Sequence, residues 1–157
     1  MVSRLARIVV IVGLVSALLG CSPNAIASVL PVAAGPLVTM TTRGGECPEG
    51  MCGSAVVLER DGRVHRLAPD PAELGIVPPN ALAALDTLVR TTNFDAIRAR
   101  PFTGTCPMAY DGQEVIFEFG APGGIERIAS CETEIDVDSP LFAAVDAAFQ
   151  GASVALP

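Results

Sequence analysis

Five cysteines, a single histidine and a row of alternating carboxylates hold most of the chemistry this 157-residue chain could perform. Nucleophilic hydrolysis needs a serine, threonine or cysteine activated by a neighbouring base, and His65 is the only imidazole present. The chain has no G-x-S-x-G elbow, and Ser54 of "CGSA" opens a β-branched run instead of a strand-to-helix turn. Beside Arg63 and Arg66, His65 reads as an ordinary hairpin residue, so no catalytic residue is assigned. A dithiol redox site would use C-x-x-C, which is absent; Cys47 and Cys52 are separated by four residues in "CPEGMC". Zinc ribbons need short C-x2-C pairs, so Cys47, Cys52, Cys106 and Cys131 read as two disulfides. Four cysteines allow three pairings. The favoured one is Cys47–Cys52, where Pro48 and Gly50 supply turn chemistry, with Cys106–Cys131 tying the segment before a hairpin to the end of its second strand.

The carboxylates are Glu132, Glu134, Asp136 and Asp138 of "CETEIDVDS". In an extended segment, residues two apart share a face, and such a row of oxygens could collect a hard cation such as calcium. An EF-hand-like loop fails, because the twelfth position counted from Glu132 is Ala143. The plainer reading is a charged strand edge that discourages pairing with another chain, leading into acids at a helix N-terminus where the macrodipole favours them. No metal is therefore assigned. Phosphate-binding loops are missing, no lysine exists to serve one, and no cofactor is expected. The remaining binding candidate is the loop "FTGTCPMAYDG", 102–112, with Thr103, Met108 and Tyr110. The alternative for Tyr110 is that it packs on the sheet.

These groups need elements to hold them. Residues 36–44 are β-branched and read as a first strand, and "SAVVLER", 54–60, Asp61-Gly62 and "RVHRL", 63–67, form a hairpin with a two-residue turn. Residues 68–79 carry four prolines and read as a loop. Asn80 then caps a helix with Leu82, Leu85 and Val89 on one face, Leu88 beside them, and Asp86 and Arg90 paired on the other. A short helical turn covers 94–99. "GQEVIFEFG", 112–120, sets Val115, Phe117 and Phe119 against Glu114, Ile116 and Glu118, a strand with one buried face, and "IERIASC", 125–131, returns beside it. Ser139 and Pro140 open a helix burying Phe142, Val145 and Phe149, stopped by Gly151. The expected class is α+β: a two-layer sandwich in which an antiparallel sheet of two hairpins carries two helices on one face. Cys47-Pro48 and Cys106-Pro107 stand 59 residues apart, and Ala81 and Leu141 stand 60 apart. That offset fits a duplicated ββα unit, with coincidence of common features as the alternative.

The N-terminus sets the compartment. Arg4 and Arg7 precede "IVVIVGLVSALL", 8–19, an uncharged run too short to cross a hydrocarbon core, which takes roughly 20 apolar residues. Its layout is that of a secretory leader. The run ends at Leu18-Leu19-Gly20-Cys21, which resembles the lipobox of bacterial lipoproteins. That resemblance implies cleavage after Gly20, a diacylglycerol thioether on Cys21 and anchoring to the extracytoplasmic face of a cell membrane. It also accounts for the fifth cysteine. "GGECPEG" and "RDGRV" resemble uncharacterised domains of secreted bacterial proteins, a likeness that implies no activity. The expected organisation is a signal peptide over 1–20, a lipidated tether over 21–36, one domain over 37–151 and a tail over 152–157.

All ten basic residues are arginines, two of them in the leader; the eight that remain face 17 acids, a formal charge of −9 for the mature chain. Such a surface repels phosphate backbones, so nucleic acid is excluded as a partner. The expected role is non-catalytic, an envelope binding or assembly module with an envelope protein or a small ligand as its partner. A cell-surface enzyme or enzyme inhibitor is the alternative, and a cation-binding module the second. A catalyst would gather polar groups in a pocket near His65 or residues 132–138, whereas a binding module would expose an apolar surface.

Overall fold

The computed structural model describes residues 35–47 and 52–152. The leader, Cys21, nearly all of the tether, Pro48 and Gly50, and the end of the tail lie outside the described residues. The chain forms the expected α+β sandwich. Its strands are β1 (Val38–Gly44), β2 (Gly53–Leu58), β3 (Arg63–Ala68), β4 (Ala72–Ile76), β5 (Gln113–Ala121) and β6 (Gly124–Ala129). They make one six-stranded antiparallel sheet in the order β4-β3-β2-β1-β5-β6. Three helices accompany it, α1 (Pro79–Thr91), α2 (Phe94–Arg98) and α3 (Pro140–Gly151).

Alternation along the strands explains which face the helices cover. Val38, Met40 and Thr42 of β1 pair with Leu58, Val56 and Ser54 on one side and with Phe119, Phe117 and Val115 on the other. These residues form the inner face, on which α1 sets Leu85 and Val89 and α3 sets Leu141, Phe142, Val145, Ala148 and Phe149. At the centre Phe119 is fully buried, with ring centroids 5.3 Å from Phe94 of α2, 6.1 Å from Phe117 and 6.1 Å from Phe142. Asp86 of α1 accepts from Arg90 at 2.7 Å as expected, and from Arg60 at 3.0 Å. Arg60 also donates to the Gly120 carbonyl, so its guanidinium ties the β2–β3 turn to both α1 and β5.

The sequence expectations need four corrections. The proline-rich stretch 68–79 is not all loop: β4 lies within it, because the prolines at 69, 71, 78 and 79 bracket a run with free amides, and an edge strand bonds on one side only. Gly75 there lets the backbone approach the end of α3, where a Cβ would stand 2.6 Å from the Ala152 carbonyl oxygen. Asn80 is not the cap of α1. Pro78 holds that place and Pro79 opens the helix, since proline's fixed φ suits the first helical position and its missing N–H costs nothing there. The sheet is more than two hairpins, because β1 lies between them and bonds to both β2 and β5. What the two halves share is a hairpin followed by a helix, with β4 intervening only in the first.

The fourth correction concerns the outer face of β5, expected to be solvated. Glu114 is only 1% exposed, directly opposite Arg43 of β1, whose Nε donates to Glu114 Oε2 at 2.5 Å. A buried carboxylate stripped of its partner loses its compensation for lost water. Arg43→Ala is therefore expected to lower stability by about 1–3 kcal/mol, and Glu114→Gln, which removes the charge but keeps an acceptor, by less. Urea midpoints check this ranking; equal midpoints for both variants and the parent would make the pair a spectator. In the β2–β3 turn, the Arg63 side chain donates to Asp61 at 2.8 Å and holds that carboxyl below its ordinary range.

Candidate functional site

A groove of about 410 Å³ opens on the inner face, where α3 and the segment leading into it leave part of the sheet uncovered. Met40, Val115 and Phe117 form its floor, Phe142 and Val145 of α3 one wall, and Ile135 and Val137 the other. Ser130, Asp138 and Asp146 are its polar lining.

The local chain path places each group. Strand alternation sends Met40, Val115 and Phe117 to the same face, and on α3 the spacing 142, 145, 146 brings Phe142, Val145 and Asp146 to one side of the helix. The opposite wall is held by a short pairing with the segment after α2. Thr133 bridges to Pro101, the Phe102 amide donates to Glu132 O at 3.1 Å, and the Glu134 amide to Arg100 O at 2.8 Å. Cys106–Cys131 anchors the start of this wall, with Cα atoms 5.0 Å apart. Ser130 is fixed to β5, its Oγ accepting from the Val115 amide at 3.0 Å. A tight turn closes the wall: Asp136 Oδ1 accepts from the Asp138 amide at 3.2 Å and Asp136 O from the Ser139 hydroxyl at 2.7 Å. Ser139 thus precedes the helix as expected, yet spends its hydroxyl on the turn and not on the helix amides. The turn leaves Val137 68% exposed at the groove's rim.

Charge at the groove is one-sided. No basic side chain among the described residues lines it. Among the described residues, seven arginines pair with other acids, and Arg66 donates to the Asp70 carbonyl at 2.7 Å. None reaches Asp138 or Asp146. Among the described residues, Asp146 accepts only from Gln150 at 2.6 Å, a neutral donor.

The residues singled out from sequence are mostly elsewhere. Glu132 pairs with Arg127 at 2.8 Å and Asp136 with Arg100 at 3.7 Å, while Glu134 is exposed and only Asp138 reaches the groove. A turn over 130–132 and another over 137–138 break the extended path that a row of ligands would need. Among the described residues, no three His, Cys, Asp or Glu side chains are grouped to hold a metal ion. His65 pairs with Val57 and Glu73, its Nε2 3.8 Å from Glu59, on the outer face. Ser54 hydrogen-bonds Thr42 at 3.1 Å on the inner face, so the sheet separates the serine from the histidine.

Thr103, Met108 and Tyr110 do not line the groove. Met108 and Tyr110 sit on a 3₁₀ turn, Pro107–Tyr110, where Met108 lies against Gly44 at the end of β1. Tyr110 is 74% exposed and does not pack on the sheet, because that turn projects from the β5 end and ends in a left-handed Asp111. The second disulfide, Cys47–Cys52, forms as expected, with Cα atoms 5.4 Å apart. Sequence reasoning missed the groove's Ile135 and Val137, whose signal was their interleaving with the acids: an alternation has two faces, and the apolar one turned out to be useful. Comparison with protein families, curated proteins and solved structures finds no match for this chain, so the site is read from its residues alone.

Proposed function

We propose that the chain is a lipid-anchored, extracytoplasmic binding module whose groove beside α3 receives an apolar ligand. The groove carries this reading: its volume of about 410 Å³ lies in the range of ligand sites, roughly 300–1,000 Å³, and its lining is apolar apart from a few polar groups that could orient a guest. Hydrolytic groups do not converge there, which favours binding over turnover. The anchor rests on Leu18-Leu19-Gly20-Cys21 and on the even set of cysteines left for the two disulfides.

Two measurements test the two halves. Intact mass after expression in a bacterium is expected to show loss of residues 1–20 and a diacylglyceryl Cys21, and Cys21→Ser is expected to leave the membrane fraction. An unmodified Cys21 still joined to Gly20 sinks the anchor. For the groove, an uncharged probe such as 1-octanol is expected to shift the methyl resonances of Val115, Ile135 and Val145 saturably. Leu67 and Ile76, exposed apolar side chains elsewhere, should stay still. Equal shifts at all these methyls would mean nonspecific partition.

A further inference from the structure

The groove's charge pattern narrows the class of ligand, and we infer that the guest is an amphipathic cation, an apolar body carrying an ammonium group. This rests on the binding reading above. Asp138 and Asp146 both line the groove, one from the turn before α3 and one from α3 itself. The walls between them are hydrocarbon, so a ligand that buries its tail against Phe117, Phe142 and Val145 brings its head to two carboxylates. The arginines of the described residues are committed to other partners, which leaves these two acids without an internal counter-ion. An ammonium supplies the missing charge, whereas a carboxylate or phosphate head would meet two like charges. The surrounding acidic surface acts in the same direction, raising the local concentration of cations and lowering that of anions.

The experiment compares three probes with the same tail, octylammonium, 1-octanol and octanoate, on the full-length protein kept unlipidated by Cys21→Ser so that no bilayer competes for the tail. Binding is read from the Val115, Ile135 and Val145 methyl shifts and from calorimetry. Octylammonium is expected to bind at least about fivefold tighter than 1-octanol, and octanoate more weakly than either. Asp138→Asn with Asp146→Asn together should weaken octylammonium about five- to tenfold and leave 1-octanol within about twofold, which also shows that the groove itself is intact. Raising salt should weaken octylammonium alone. Octanoate binding as tightly as octylammonium, or octylammonium indifferent to the double substitution, overturns the cationic ligand while leaving an apolar groove in place. If none of the three probes moves the groove methyls, the groove reading falls and this inference with it.

Discussion

Phe119→Ala is expected to lower stability by about 3–5 kcal/mol, the largest effect of any single substitution considered for this chain. Phe119 is inaccessible to solvent and stands where the sheet, α2 and α3 meet, with the rings of Phe94, Phe117 and Phe142 around it. Truncation to Ala removes both the transfer energy of the ring and the dispersion contacts of its neighbours. Those neighbours are held by different elements, so collapse into the cavity would have to move a helix and not merely a rotamer. For a domain near 100 residues, each kcal/mol shifts the melting temperature by roughly 4–8 °C, so a loss of about 12–40 °C should be visible. Phe119→Leu, which refills much of the space, should lose less than half of that. Leu67→Ala and Ile76→Ala, at exposed sites on the β3–β4 edge, should stay within about 0.5 kcal/mol of the parent. Melting curves followed by circular dichroism decide the ranking. A Phe119→Ala protein melting within a few degrees of the parent would show that the aromatic cluster is not the centre of the core.

Removing the Cys106–Cys131 bridge by the double change Cys106→Ser, Cys131→Ser is expected to cost about 3.5 kcal/mol, from the chain entropy regained by the unfolded state. The bridge spans 25 residues of sequence and encloses β5 and β6. The Cys47–Cys52 bridge spans only five, for which the same argument yields about 2 kcal/mol, so the longer bridge dominates. Taking a urea slope of about 1.5 kcal/mol/M, the midpoint should fall by roughly 2 M. The effect should also be local. Without the bridge, the wall of the groove is held at that end by the Thr133–Pro101 pairing and its two backbone hydrogen bonds, so amides of residues 130–135 should exchange faster than those of β1. Midpoints for the parent and double variant that agree within error, in the absence of reductant, would remove the bridge as a source of stability.

The sequence reading succeeded where one element's own periodicity determines its neighbours. Val115, Phe117 and Phe119 repeat every second residue, and Leu85 and Val89 every fourth; each pattern says which side of its element faces the core, and in the structure the helices pack on those sides, leaving only the groove at Val115 and Phe117 open. The disulfide pairing was legible for a related reason, since Cys47 and Cys52 lie close in sequence around turn-favouring residue types and the β5–β6 hairpin returns Cys131 beside the segment that carries Cys106. Reading failed where the outcome depends on a partner distant in sequence. β4 was missed for a different reason: its partner β3 is adjacent in sequence, but the flanking prolines mask a short strand that only the open edge of β3 completes. Glu114 looked like a solvated residue because nothing near it in sequence is basic; its partner Arg43 lies 71 positions away, in the adjacent strand.

The groove shows the division most clearly. Sequence alone determined that residues 132–138 alternate acids with other side chains, that 140–151 form an amphipathic helix, that β5 has an apolar face, and that the chain carries a strong negative charge. Only the tertiary structure decided that these faces meet along one incompletely filled seam, lined by both Asp138 and Asp146. The reason is physical: a repeat of two or of 3.6 residues specifies direction about a local axis. The distance between side chains on separate elements is set by strand order and by helix packing, which no local repeat records.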